Sequence, residues 1–341
     1  MWRTHTMKIT TKVMVLALLV TTVGGAVVIP TQAVMADQQA TNTTNGSSDT
    51  STLTSSYVVY GAGTPQSAYT DLNDTMDVDS NFKKLTATAA DYRQYIGNDN
   101  TTDAAMISSV AITPTDPGSG VKVNIRKYNG KSNITKVTAQ QYAMVAQMAG
   151  VTDITINVTA NRPVSGESAL TGVYKAFAAD GHQLNPQNTS AANSVMDATQ
   201  GAIDANSDDK SYAGKLMAAV GDVSRQIAQK KQNNNGDLAT KQDIQEMLNR
   251  ALKSRGIASQ TSQSQQTKIV NSLVTFQNSP ISSSKSYVNN VSNTINNVKN
   301  SSGNLMNKAK EWANGNSAKK AEQQASGWFQ RLVAWIQSFF N

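Results

Sequence analysis

Cysteine is absent from all 341 residues, and histidine occurs only at His5 and His182. The first absence excludes disulfide staples, thiol catalysis, thiolate zinc sites and iron–sulfur clusters. The second leaves too few imidazoles for a transition-metal centre. Also lacking near the N-terminus is an uninterrupted membrane span, which needs about 20 apolar residues. The run there extends only from Val13 to Val28, and Pro30 and Gln32 follow it.

The N-terminus instead has the layout of an export signal. Arg3, Lys8 and Lys12 form a basic start, the apolar run follows, and the segment closes on Val34-Met35-Ala36, with small residues where a signal peptidase reads them. Residues 1–36 are therefore expected to be a signal peptide cleaved after Ala36, with Ala33 the second choice and Met7 an equally good start. The alternative is a retained anchor. An exported chain of this size without disulfides fits a bacterial cell surface, and its core has to hold by packing alone.

Charge is unevenly placed. Residues 37–208 carry 10 Lys and Arg against 16 Asp and Glu, whereas residues 209–341 carry 17 against 7. A basic segment gathers near polyanions within a Debye length of roughly 8 to 10 Å. Outside a cell these are anionic membranes and cell-wall polymers, which are the expected partners; nucleic acid is not expected.

Texture divides the rest. Residues 37–56 hold one large aliphatic residue, Leu53, and read as a disordered spacer, since little there offsets the entropy of ordering. Residues 57–181 read as an α+β domain with a small mixed sheet. Tyr57-Val58-Val59-Tyr60 is β-rich; Thr64 and Pro65 suit a helix start, with Ala68, Leu72 and Met76 on one face. Ser108–Thr113 and Val121–Arg126 read as strands joined by a hairpin at Asp116-Pro117-Gly118-Ser119-Gly120. Thr138 caps a helix carrying Tyr142, Val145, Ala146 and Ala149, which ends at Gly150. Ile154, Ile156 and Val158 alternate as a strand, and a helix from Ser165 to Ala179 turns Leu170, Val173, Tyr174 and Phe177 inward.

Beyond Gly181 strand signals vanish. Residues 182–280 read as a helical domain, with periods over 195–203, 212–227 and 238–252, where Leu238, Ile244, Met247, Leu248, Ala251 and Leu252 share a side. A last helix carries Ile269, Val270, Leu273 and Phe276, and Pro280 closes it. Residues 281–316 form an Asn/Ser/Lys-rich helix or linker with Val288, Val291, Ile295, Val298, Ser302, Leu305, Ala309 and Trp312 at three-four spacing. This seam is expected to pack on its own domain, with self-association the alternative. Residues 317–341 read as an amphipathic aromatic C-terminal helix.

Three runs resemble a known set: Asn133-Ile134-Thr135-Lys136-Val137-Thr138, Ala149-Gly150-Val151, and Pro163 to Ala176 with the core Ser165-Gly166-Glu167-Ser168-Ala169-Leu170. They are similar to the YpuA-like family of secreted Gram-positive proteins of unknown function. Tyr60-Gly61-Ala62-Gly63 and Gly118 to Val123 also fit. The resemblance covers roughly residues 57 to 280. It implies an extracellular location and the α+β-then-helices layout, and it transfers no functional residue.

Among candidate chemistries, Gly166-Glu167-Ser168-Ala169-Leu170 invites a nucleophile-elbow reading, with His182 as the one available base of a serine hydrolase. Leu170 stands where that motif needs glycine. The simpler reading has Ser165 capping a helix, with Glu167 and Ser168 in its first turn. Gly61-Ala62-Gly63 has the setting of a dinucleotide turn, but Gln66 replaces the third glycine, and tight geometry accounts for the pair. Asp71, Asp74, Asp77 and Asp79 lack the glycine and closing glutamate of a calcium loop and read as a solvated face. No cofactor, metal or small-molecule substrate is expected.

The strongest signal outside the core lies at the C-terminus. On a helix, Trp328, Phe329, Leu332, Val333, Trp335, Ile336, Phe339 and Phe340 fall within an arc of about 160 degrees. Lys308, Lys310, Lys319 and Lys320 precede them, as in an interfacial helix lying on an anionic membrane. The alternative is docking into the protein's own groove, or onto a protein partner or second copy. The chain is thus expected to be a non-enzymatic envelope protein contacting an anionic surface through Trp328, Phe329, Leu332, Trp335, Ile336, Phe339, Phe340, Lys319 and Lys320.

Overall fold

Strand β1 (Tyr57–Gly61) is buried along its whole length, and this sets the layering of the molecule. Tyr57 and Val59 enter the main core, whereas Val58 and Tyr60 enter a smaller one beneath helix α1 (Tyr69–Met76), because side chains alternate along a strand. The structure is a computed structural model describing residues 49–97, 100–233 and 236–314, with side chains to Ser301. The fold is α+β: a mixed sheet with helices, followed by a helical C-terminal half.

With β2 (Lys83–Ala87), β3 (Ser109–Pro114), β4 (Val121–Ile125) and β5 (Ile154–Thr159), the five-stranded sheet runs β2-β1-β3-β5-β4. The β1–β2 and β4–β5 pairings are parallel, and both pairings with β3 are antiparallel. The hairpin expected at 116–120 does not form, because β5 lies between β3 and β4. Strand β5 buries Ile154, Ile156 and Val158 completely and takes an interior place; β4, with Lys122 and Asn124 exposed, takes the edge.

Helices α3 (Ala139–Met148) and α4 (Glu167–Ala179) cover the main face, and α2 (Ala89–Ile96) packs on α4. Then come α5 (Pro186–Ala205), α6 (Tyr212–Asn233), α7 (Lys241–Ser254), α8 (Gln263–Asn278) and α9 (Lys285–Asn314). One apolar core runs from the sheet through these helices. Reciprocal capping boxes start α2 (Thr88 with Asp91), α3 (Thr138 with Gln141), α7 (Thr240 with Asp243) and α8 (Ser262 with Gln265). Three sequence readings need correction. Thr64 caps nothing; its hydroxyl donates to the Ile107 carbonyl at 2.8 Å, and a 3-10 turn precedes α1. Gly166, at φ +108, rather than Ser165 is the N-cap of α4. Leu238 lies outside α7 and is 48% exposed.

Residues 49–56, expected as spacer, are part of the fold. Leu53 is 3% exposed in the main core, and Ser51 bridges Val151 through bonds to Gly150 and Thr152 of 2.8 and 3.0 Å. One leucine anchors a strap whose polar groups find partners far away in sequence, which composition alone does not reveal. Residues 1–48 lie outside the described residues.

The seam of α9 packs on its own fold as far as it is described: Tyr287, Val291, Ile295 and Val298 are buried, facing α6 and α3. The same helix closes the open edge of the sheet. The Val121 N–H donates to Thr294 Oγ1 at 2.9 Å, and Asn297 Nδ2 donates to the Ser119 and Val121 carbonyls at 2.7 and 3.2 Å. Side chains of a helix thus stand where a sixth strand would pair. Thr294→Val strands this N–H and the Gln147 Oε1 that Thr294 also bonds. It is expected to cost about 1–3 kcal/mol, measured as a lower urea midpoint.

Candidate functional site

The chain rises from β5 into α4 through Gly166, and this turn places Ser168 inward. Its Oγ lies 2.5 Å from Ser108 Oγ and accepts the Ser108 N–H at 3.2 Å. The residue is 9% exposed. His182 follows the other end of the same helix, about 20 Å away at 1.5 Å per residue. Its Nε2 sits 3.9 Å from Asp180 Oδ2, not near a serine hydroxyl. The structure does not bring the two together, so they cannot exchange a proton.

Gly61 and Gly63 serve close backbone packing. A Cβ on Gly61 would lie 2.1 Å from the Met106 carbonyl oxygen, and one on Gly63 2.5 Å from that of Ala104. Gly61→Ala must displace backbone and is expected to cost about 1–3 kcal/mol, visible as a lower melting temperature.

The four aspartates disperse. Asp77 pairs with Arg126, Asp71 accepts from the Tyr128 hydroxyl at 3.1 Å, and Asp79 accepts the Asn81 N–H at 2.8 Å. Among the described residues no group of three potential ligands could hold a metal. Trp328, Phe329, Leu332, Trp335, Ile336, Phe339, Phe340, Lys319 and Lys320 lie outside the described residues.

A cleft absent from the sequence reading opens between α2, α5 and the start of α4. Its volume is about 630 Å³, with Tyr92, Glu167, Asn193 and Asp197 as polar lining and Ile96 and Met196 as apolar lining. The Tyr92 hydroxyl donates to Glu167 Oε2 at 2.8 Å, fixing that carboxylate. Burial, then Glu167, push the Tyr92 hydroxyl well above the usual phenol range. Asn193 is held by its donation to the Tyr95 carbonyl at 2.7 Å. Asp197 is exposed as a residue, yet desolvation of its carboxyl, then the charge of Glu167, raise its pKa. Neither acid is ion-paired among the described residues. The arrangement attracts positive charge.

An acid whose folded pKa is raised contributes stability below its unfolded pKa, and this contribution is lost as pH rises through the folded value. Asp197→Asn is therefore expected to give a small gain in melting temperature at pH 7 and none at pH 3. Paired thermal scans measure it.

A family model described as "Protein of unknown function (DUF1002)" matches residues 60–294. The Uncharacterized protein YpuA of Bacillus subtilis (strain 168) is 33% identical over 123 residues, 35% of this chain and 40% of YpuA. The chain thus spans less than half of that relative's length. No solved structure matches. Since the matched region runs from the end of β1 into α9, across every later strand and the helices packed on them, the chain belongs to the DUF1002 family of proteins of unknown function.

Proposed function

We propose that this is a secreted or cell-envelope-associated protein that binds an anionic membrane or wall polymer and catalyses no reaction. The observation that carries the reading is the meeting, at one end of the sequence, of the basic half with an aromatic run, Trp328 to Phe340, whose spacing is that of an amphipathic helix. Two further features support it. Among the described residues Leu238 is the only large apolar side chain left exposed. Helix α9 is packed in the core as far as Val298 and runs on to Asn314. A serine hydrolase using Ser168 and His182 gains no support from a helix-length separation.

The test compares the chain from Asp37 with a form lacking Trp328 to Asn341, sedimented with phosphatidylglycerol vesicles and with purified walls. Binding is expected to fall at least tenfold on deletion; undiminished binding would overturn the proposal. Incubation with a fluorophosphonate probe is expected to leave Ser168 unlabelled.

A further inference from the structure

The serine that caps the first turn of α9 is itself held by residues more than 230 positions away. Ser284 Oγ accepts the Tyr287 N–H at 3.0 Å, the usual work of a helix cap, and donates to Asp49 Oδ1 at 2.7 Å. Ser286 Oγ reaches the same carboxylate oxygen at 3.3 Å and accepts the Thr50 N–H at 2.9 Å. Asn290 Nδ2 donates to Thr50 Oγ1 at 3.2 Å. The Asp49 carboxylate therefore fixes the capping serine, and it does so at the helix end where the macrodipole favours an anion.

The strap is unevenly anchored. Leu53 is buried, and Thr54 bonds the Asp180 carboxylate through both its N–H and its hydroxyl. Residues 49–52 bring no large apolar side chain, and Asp49 and Thr52 are exposed. A polar surface segment without a buried apolar anchor belongs to the low end of local stability, whereas a segment with a buried leucine does not. Opening can thus run up to Leu53 and stop there.

We propose that residues 49–52 form a releasable latch on α9. Closed, the latch completes the helix cap; open, it lets the first turns of α9 fray while Leu53 stays seated. Binding to, or a pull on, the chain preceding Asp49 is thereby transmitted to the helix that leads towards the C-terminus. The latch stands independently of the surface-binding reading.

Since the chain has no cysteine, a Thr50→Cys, Asn290→Cys pair gives one unambiguous crosslink across the latch. Hydrogen exchange is followed in the amides of Asn289 to Ile295. Relative to the unaltered chain from Asp37, exchange there is expected at least tenfold slower in the oxidised pair, returning on reduction, and at least tenfold faster in Asp49→Ala. The sheet amides should keep their rates. A chain beginning at Leu53 provides the same opened state without relying on the crosslink and is expected to match Asp49→Ala. Unchanged α9 exchange in the locked and opened forms would overturn the latch.

Discussion

A chain ended at Ser284 is expected to show no cooperative unfolding transition. The loss removes Tyr287, Val291, Ile295 and Val298 from the core, and truncating a single large core residue already costs about 2–5 kcal/mol. Four such losses together approach or exceed the roughly 5–15 kcal/mol that holds a domain folded. Two secondary injuries accompany them. Gly221 of α6 is bare because a Cβ there would lie 2.5 Å from Met144 Cε and 2.8 Å from Ile295 Cγ1, so without α9 a groove stands open at this crossing. The β4 edge also loses Thr294 and Asn297 and becomes free to pair with other chains. A chain ended at Asn314 is expected to melt within a few degrees of the full chain. Thermal circular dichroism with dye binding separates the cases; a cooperative melt from the shorter chain would contradict the assigned role of α9.

Asp180→Ala is expected to cost about 1–3 kcal/mol, because it removes the acceptor of three bonds and leaves the buried Tyr57 hydroxyl without its partner carboxylate. The carboxylate, at the C-terminal cap of α4, is 1% exposed and accepts the Thr54 N–H at 2.5 Å and the Tyr57 hydroxyl at 2.9 Å. Thr54 Oγ1 supplies the third bond. An anion is unwelcome at that end of a helix, and burial alone would raise its pKa. The Thr54 N–H, the Tyr57 hydroxyl, the Thr54 hydroxyl and His182 together hold it below the usual range. Reciprocally, burial and then Asp180 push the Tyr57 hydroxyl up to about 12. For an acid with a depressed folded pKa, the stabilisation is complete above the unfolded value, about pH 4, and disappears as pH falls through the folded value. Denaturant midpoints between pH 2 and 6 should therefore decline less steeply in Asp180→Asn than in the native chain. Parallel curves would contradict this role.

Some of this was legible in the residues and some was not, for identifiable reasons. Alternation in β5 and three-four spacing in α3, α4, α8 and α9 marked buried faces, since burial on one side leaves a period. Strand β2 left none: Lys83-Lys84-Leu85-Thr86-Ala87 is a largely exposed edge strand in which Leu85 is partly buried and only the small Ala87 is fully buried. Helix α2 went unread, although its capping pair Thr88 and Asp91 is a signal that could have found it. The strap was read as spacer because its partners, Ser284, Gly150 and Asp180, lie 99 to 235 positions away in sequence. Its groups must be in place before their role appears. The cleft was hidden for the same cause, since Tyr92, Glu167 and Asp197 meet only once α2, α4 and α5 are packed.

Once residues 1–36 are removed, every tryptophan lies at 312, 328 or 335, so selectively excited tryptophan fluorescence reports the C-terminal end alone. Titrating the chain from Asp37 with phosphatidylglycerol vesicles at low salt tests the surface-binding account most directly. A blue shift is predicted that high salt reverses and that neutral phosphatidylcholine vesicles do not produce. Emission that stays unchanged on anionic vesicles would contradict it.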